Sequence, residues 1–135
     1  MLVGSFSPLL LHQIRDKINL FWIPGSSFSV GLIFLSGRQQ LLHGLGRYPE
    51  AQQAGRPWID WARKASDLPE EARAHNNVGR SFGAQDNHPQ AAEHFQAALE
   101  AVRPTDDREL ELRILLGLSF SRTSMAQYRE AQTLL

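Results

Sequence analysis

The chain has 135 residues, with 14 basic side chains, 14 acidic ones and no cysteine. That length holds one domain with a real core but hardly two. The lack of cysteine excludes a disulfide scaffold, a thiolate zinc site and a thiol nucleophile, and zero net charge removes the usual electrostatic reason to expect nucleic acid as a partner.

Residues 1–11 are apolar but lack a basic start and a small-residue cleavage site, so they do not read as a signal peptide. The stretch 18–37 carries no charge and approaches the length of a membrane span. Pro24-Gly25-Ser26-Ser27 divides it, because such a cluster breaks a helix and favours a turn. It is read as two short apolar pieces, 18–23 and 28–36, with a membrane anchor over 18–37 as the alternative. No membrane partner is expected, and the location is expected to be cytoplasmic.

The composition changes near residue 40, from Phe, Leu, Ile, Ser and Gly to the helix formers Ala, Glu, Gln, Arg and Leu. A repeat begins there. Tyr48, His88 and Tyr128 are forty residues apart, and so are Glu50, Gln90 and Glu130, and Ala51, Ala91 and Ala131. Asp67 with Asp107, Glu71 with Glu111 and Arg73 with Arg113 share that spacing. Several matched columns at one period mark a real repeat.

Each period reads as two helices. In the clearest, helix A runs from about Glu70 to Gly83, the turn is Gln85-Asp86-Asn87-His88, and Pro89 opens helix B, which stops at about Val102, before Pro104. Ala91, Phe95, Ala98, Leu99 and Val102 form the apolar stripe of helix B, and Ala74, Val78, Gly79 and Phe82 that of helix A. In the first period Gly55-Arg56-Pro57 falls where helix B should continue. Proline inside a helix costs about 3 kcal/mol, so a break or restart is predicted at Pro57, with Trp58, Trp61, Ala62 and Ala65 as the apolar face beyond it. In the third period, strict forty-residue register puts Leu118-Ser119 at the hydrophobic-plus-small pair. The rival register through Leu116-Gly117 and Phe120 needs two extra residues before Tyr128.

Val78-Gly79, Phe82, Ala91, Phe95 and Ala98 resemble the tetratricopeptide repeat. The forty-residue period and the run Asp107, Arg108 and Glu111 resemble its longer subtype, as in the Inscuteable-binding G-protein regulators and Tonsoku-like proteins. The resemblance implies an all-α fold: a short right-handed superhelix of antiparallel helix pairs after an apolar, partly irregular leader. The leader is 1–40 and the array 41–135, divided as 41–66 (partial), 67–106 and 107–135 (truncated). A solenoid normally ends in a polar capping helix, and Thr-Leu-Leu ends this chain. It is therefore read as a fragment of a longer array, whose last helix is expected to self-associate or dock on further repeats.

No histidine pair has zinc-ligand spacing, no Gly-x-Ser-x-Gly or P-loop occurs, and paired carboxylates such as Glu70-Glu71 suit helix N-termini. Neither enzyme activity, metal nor cofactor is expected. The resemblance implies non-catalytic protein binding, as an adaptor or scaffold, in a concave groove lined by the A helices. Arg73, Asn76, Asn77 and Arg80 are expected there, and Arg113, Gly117 and Phe120 by the forty-residue shift. Asn can hold the backbone of an extended peptide and Arg can pair with its carboxylates, so the expected partner is an acidic peptide segment. A co-chaperone-like carboxylate clamp is not favoured, since the first A helix has no lysine.

Overall fold

The computed structural model describes residues 30–134, so the 18–23 piece and the 24–27 turn lie outside the described residues. Five helices and no strand occur among the described residues: α1 (Val30–Gly44), α2 (Tyr48–Lys64), α3 (Leu68–Gly83), α4 (His88–Val102) and α5 (Arg108–Leu134). The fold is all-α, as expected. Helix α1 crosses residue 40, where the composition changes.

The first three turns use one device at a twenty-residue interval. Gly46, Ser66 and Asp86 adopt positive φ, at 75°, 53° and 58°. The next residue's N–H then reaches back to a carbonyl five residues earlier: Arg47 to Leu42, Asp67 to Ala62, and Asn87 to Phe82, at 2.9–3.0 Å. This left-handed cap satisfies the last carbonyls of each helix and reverses the chain. Helices α3, α4 and α5 begin with side-chain caps, whereas Arg47 gives α2 none. Asp67 accepts from the Glu70 N–H and Asp107 from the Leu110 N–H, so one column of the repeat is a column of N-caps. Asn87 accepts from the Gln90 N–H, and Pro89 follows in the first turn.

The chain therefore stacks as a solenoid. Each helix packs on its neighbours in sequence, and α1, α3 and α5 also touch in succession, forming one layer of A helices. The α4 stripe is buried in full: Ala91, Phe95, Ala98, Leu99 and Val102 join Leu110, Ile114 and Leu118 of α5 in one cluster. Trp58, Ile59, Ala74 and Val78 form a second cluster with Leu32 of α1. Trp58 and Ala62 are buried as the sequence suggests.

Strict register holds in the third repeat. The buried residues of α5 are Leu110, Ile114, Leu118 and Ser121, each forty residues after a buried residue of α3: Glu70, Ala74, Val78 and Ser81. The rival pair, Leu116 and Gly117, lies off this stripe.

Two expectations are corrected. Helix α2 runs unbroken through Pro57. Pro57 and Gln53, whose carbonyl loses its bond, are both on the solvent face. Burying Ala51, Ala54, Trp58, Ile59 and Ala62 on the other face offsets the loss, since a fully buried large side chain alone contributes about 1.5–3 kcal/mol. Gly55, where the repeat has an aromatic in α4, lets α3 approach: a Cβ there would lie 2.1 Å from the Val78 Cγ2.

The second correction concerns α5, which continues through 123–127, where the period places a turn. Ala126, Gln127 and Arg129 stand where the second repeat has Asp86, Asn87 and Pro89. Alanine is the best helix former, and the cap and the proline are gone. Nothing local stops the helix.

The register also explains an unsatisfied group. In α3, the buried Ser81 hydroxyl meets Gln39 Nε2 at 3.2 Å and His43 Nδ1 at 2.9 Å, both from α1. Forty residues on, Ser121 is buried, but the positions forty after Gln39 and His43 are Gly79 and Gly83, which have no side chain to offer, and its hydroxyl has no partner among the described residues. An unpaired buried hydroxyl costs about 1–3 kcal/mol. Ser121→Ala should therefore stabilise the fold by roughly 1 kcal/mol and Ser81→Ala should destabilise it by a similar amount. Urea unfolding of both variants checks this; equal signs would refute it.

Candidate functional site

Along α3, Arg73, Asn76, Asn77 and Arg80 follow the i, i+3, i+4, i+7 spacing that puts side chains in one stripe. The stripe faces the side on which α1, α3 and α5 meet. It forms a wall of an open hollow of about 770 Å³. Arg113 and Gly117 of α5 line the same hollow, so six of the seven residues expected on the concave face lie on one surface. Phe120 does not line it. It is largely exposed and stands edge-on to His88, with ring centres 5.7 Å apart.

The hollow also holds residues the sequence did not single out. Gln40 enters from α1, and Asp107 and Glu109 from the start of α5. Phe95, Leu110 and Leu116 give it an apolar part. Asp107 was visible as a repeat column with Asp67, not as a groove residue. Gln40 falls in the leader as read from the sequence, and Glu109 has a proline at its register position, so neither was marked by the matched columns.

These acids change the electrostatics. Arg73 donates to Glu70 at 2.6 Å and lies 3.7 Å from Asp107. Arg113 pairs with Glu109. Arg80 has no carboxylate partner among the described residues. Its guanidinium donates to the Asn77 side-chain oxygen at 3.3 Å, and its charge, after burial, helps hold the His43 imidazole below its usual pKa. Asn76 is buried to 8% exposure but lines the hollow, and its amide makes no hydrogen bond among the described residues. Three carboxylates, Glu70, Asp107 and Glu109, thus serve Arg73 and Arg113, and Arg80 is left without one beside an open amide. A smaller hollow lined by Gln39, Gln40, His43, Asn77 and Arg80 continues this surface toward α1.

A polar cluster lies between α3 and α4. The His75 and His94 Nδ1 atoms are 3.1 Å apart, and Arg63 Nη2 is 3.2 Å from His75 Nε2. A guanidinium only donates, so His75 Nε2 must accept. The single His75 proton is then on Nδ1 and is donated to His94 Nδ1. A second proton on either ring would face another donor. Burial first, then His94 and Arg63, lower the His75 pKa to about 4. Burial is also the main cause that lowers His94. With Phe82 stacked on His94 at 5.4 Å, these rings pack α3 against α4. Among the described residues no group of three His, Cys, Asp or Glu could hold a metal ion, and no helix is long and apolar enough to cross a membrane.

A family model for the tetratricopeptide repeat matches residues 40–103 and again 70–135. No curated protein and no solved structure matches the chain. The two matches together run from residue 40 to residue 135, most of the sequence, and cover the helix pairs whose caps and buried stripes recur at forty residues. The chain therefore belongs to the tetratricopeptide repeat family, whose stacked helix pairs serve as protein–protein interaction modules.

Proposed function

We propose that the chain is a non-catalytic adaptor that binds an extended, acidic peptide segment in the hollow between α1, α3 and α5. The observation that carries this reading is the uneven pairing of the arginines. Arg73 and Arg113 are neutralised by Glu70, Asp107 and Glu109, whereas Arg80 faces the hollow without a carboxylate. A peptide carboxylate supplies that missing partner. The Asn76 amide, which can donate and accept, suits the peptide backbone beside it, and the exposed Leu116 offers apolar contact. Arg73 and Arg113 contribute by holding the wall in place and by exchanging partners with an incoming acid. The Asp107, Arg108 and Glu111 run and the period support placement in the longer subtype of the family.

The test is fluorescence anisotropy with short peptides rich in Asp and Glu, against the same peptides with Asn and Gln. Acidic peptides should bind at least tenfold more tightly, and the preference should shrink as salt rises, because the Arg80 pair is exposed to solvent. Asn77→Ala/Arg80→Glu should abolish the preference at unchanged helix content. Equal binding of acidic and amide peptides, or none by either, would overturn the proposal.

A further inference from the structure

The last nine described residues of α5, Ala126–Leu134, are exposed on every side. Their sequence does not fit that setting. Ala131 falls in the column of Ala51 and Ala91, both fully buried, and Leu134 is 87% exposed. This segment carries the start of a B helix, but the A-helix part of α5 that it should pack on cannot receive it, because the two are one continuous helix.

The receiving face exists and is also exposed. In the second repeat, α3 meets α4 through His75 against His94, Gly79 against Phe95 and Gly83 against Ala91. The last two pairs keep a constant sum of residue numbers, as antiparallel helices do. Moved forward by forty residues, the contacts become Leu115 against Leu134 and Thr123 against Ala131. Leu115 and Leu112, beside it on the A-helix face, are 38% and 58% exposed.

Within one straight helix Thr123 and Ala131 are eight residues apart, about 12 Å, and cannot meet. Between two chains they can. The transposed pairing is self-complementary: residue 123 of one copy meets 131 of the other, 131 meets 123, and Gln127 falls on the two-fold axis. That is the geometry of an isologous interface formed by exchange of an element.

We propose that α5 is an exchanged helix, and that two copies of this chain pair through it antiparallel about Gln127. Each copy supplies the missing B-helix segment to the other's A-helix face. The occupant is a second copy because the interface repeats the α3–α4 contact that the same sequence columns make within one chain. The missing turn at Ala126, Gln127 and Arg129 converts that contact from internal to external.

Two measurements on the full chain test this. Sedimentation at increasing concentration should approach twice the 15.2 kDa of one chain. Restoring the second repeat's turn with Ala126→Asp, Gln127→Asn and Arg129→Pro should return it to a monomer of similar helix content. The second measurement does not depend on that variant folding. The chain has no cysteine, so Thr123→Cys/Ala131→Cys introduces the only thiols. A Cβ at Gly83 would lie 3.9 Å from the Ala91 Cβ, within disulfide reach, and the transposed pair should oxidise to a covalent dimer. The same two thiols are too far apart to bridge within one helix. A monomer at all concentrations, a dimer that survives the restored turn, or failure to form the covalent dimer would each overturn the proposal.

Discussion

Replacing Phe95 with alanine is expected to cost about 3–5 kcal/mol, a large part of the stability of a domain this size, and to lower the melting temperature by roughly 15–25 °C. The ring is 3% exposed and is held between two glycines on different helices. A Cβ at Gly79 of α3 would come within 2.9 Å of the ring, and one at Gly117 of α5 within 2.7 Å. One side chain of α4 thus joins three helices, and its loss leaves a cavity that helical backbones cannot collapse to fill. The glycines provide a sharper check. In the native chain Gly79→Ala should destabilise by about 1–3 kcal/mol, since the ring cannot retreat toward Gly117. In the Phe95→Ala background the same change should stabilise by up to about 1 kcal/mol, because the space is free and alanine is the better helix former. Thermal melts of the four proteins read the reversal directly. The same sign in both backgrounds would show that the ring does not hold the helices apart.

Acid should weaken the fold well before the carboxylates titrate. The unfolded chain protonates His75 near 6.5, whereas the folded chain does so only near 4. Between these values the unfolded state binds more protons, so stability falls as pH falls through this window and is fully retained above it. The full shift corresponds to about 3 kcal/mol, and His94, lowered in the same direction, adds to the slope. His75→Gln keeps a donor toward His94 and an acceptor toward Arg63 but cannot be protonated. Urea unfolding at pH 7 and pH 4.5 should show a smaller pH dependence in this variant. An undiminished slope would place the acid sensitivity elsewhere.

The candidate site was legible as a surface but not as a set of interactions. The spacing of Arg73, Asn76, Asn77 and Arg80 defines one helix face, and the forty-residue shift adds Arg113. The structure places all five on one hollow. The pairs Arg73–Glu70 and Arg113–Glu109 lie three and four residues apart on one helix, but the approach of Asp107 to Arg73, and its absence from Arg80, depend on how α5 packs beside α3. Gln40 escaped notice because it lies outside the repeated columns. The His75–His94–Arg63 cluster escaped for a related reason: its members come from three helices and share no motif.

The sequence by itself determined the all-α class, the period, the strict register of the third repeat, the opening of α4 at Pro89 and the buried stripe of α4. These features are local. A stripe recurs every three or four residues, and a repeat states the same local instruction again. Tertiary structure decided where an instruction is overruled or left open. Pro57 stays inside α2 because the face opposite it is buried against other helices. The glycines at 55, 79 and 117 acquire their roles from Val78 and Phe95 on neighbouring helices. Helix α5 runs through the third turn because that turn lost its caps, and it presents a B-helix face to solvent. In each case the deciding energy comes from contacts between helices distant in sequence, which no window along the chain contains.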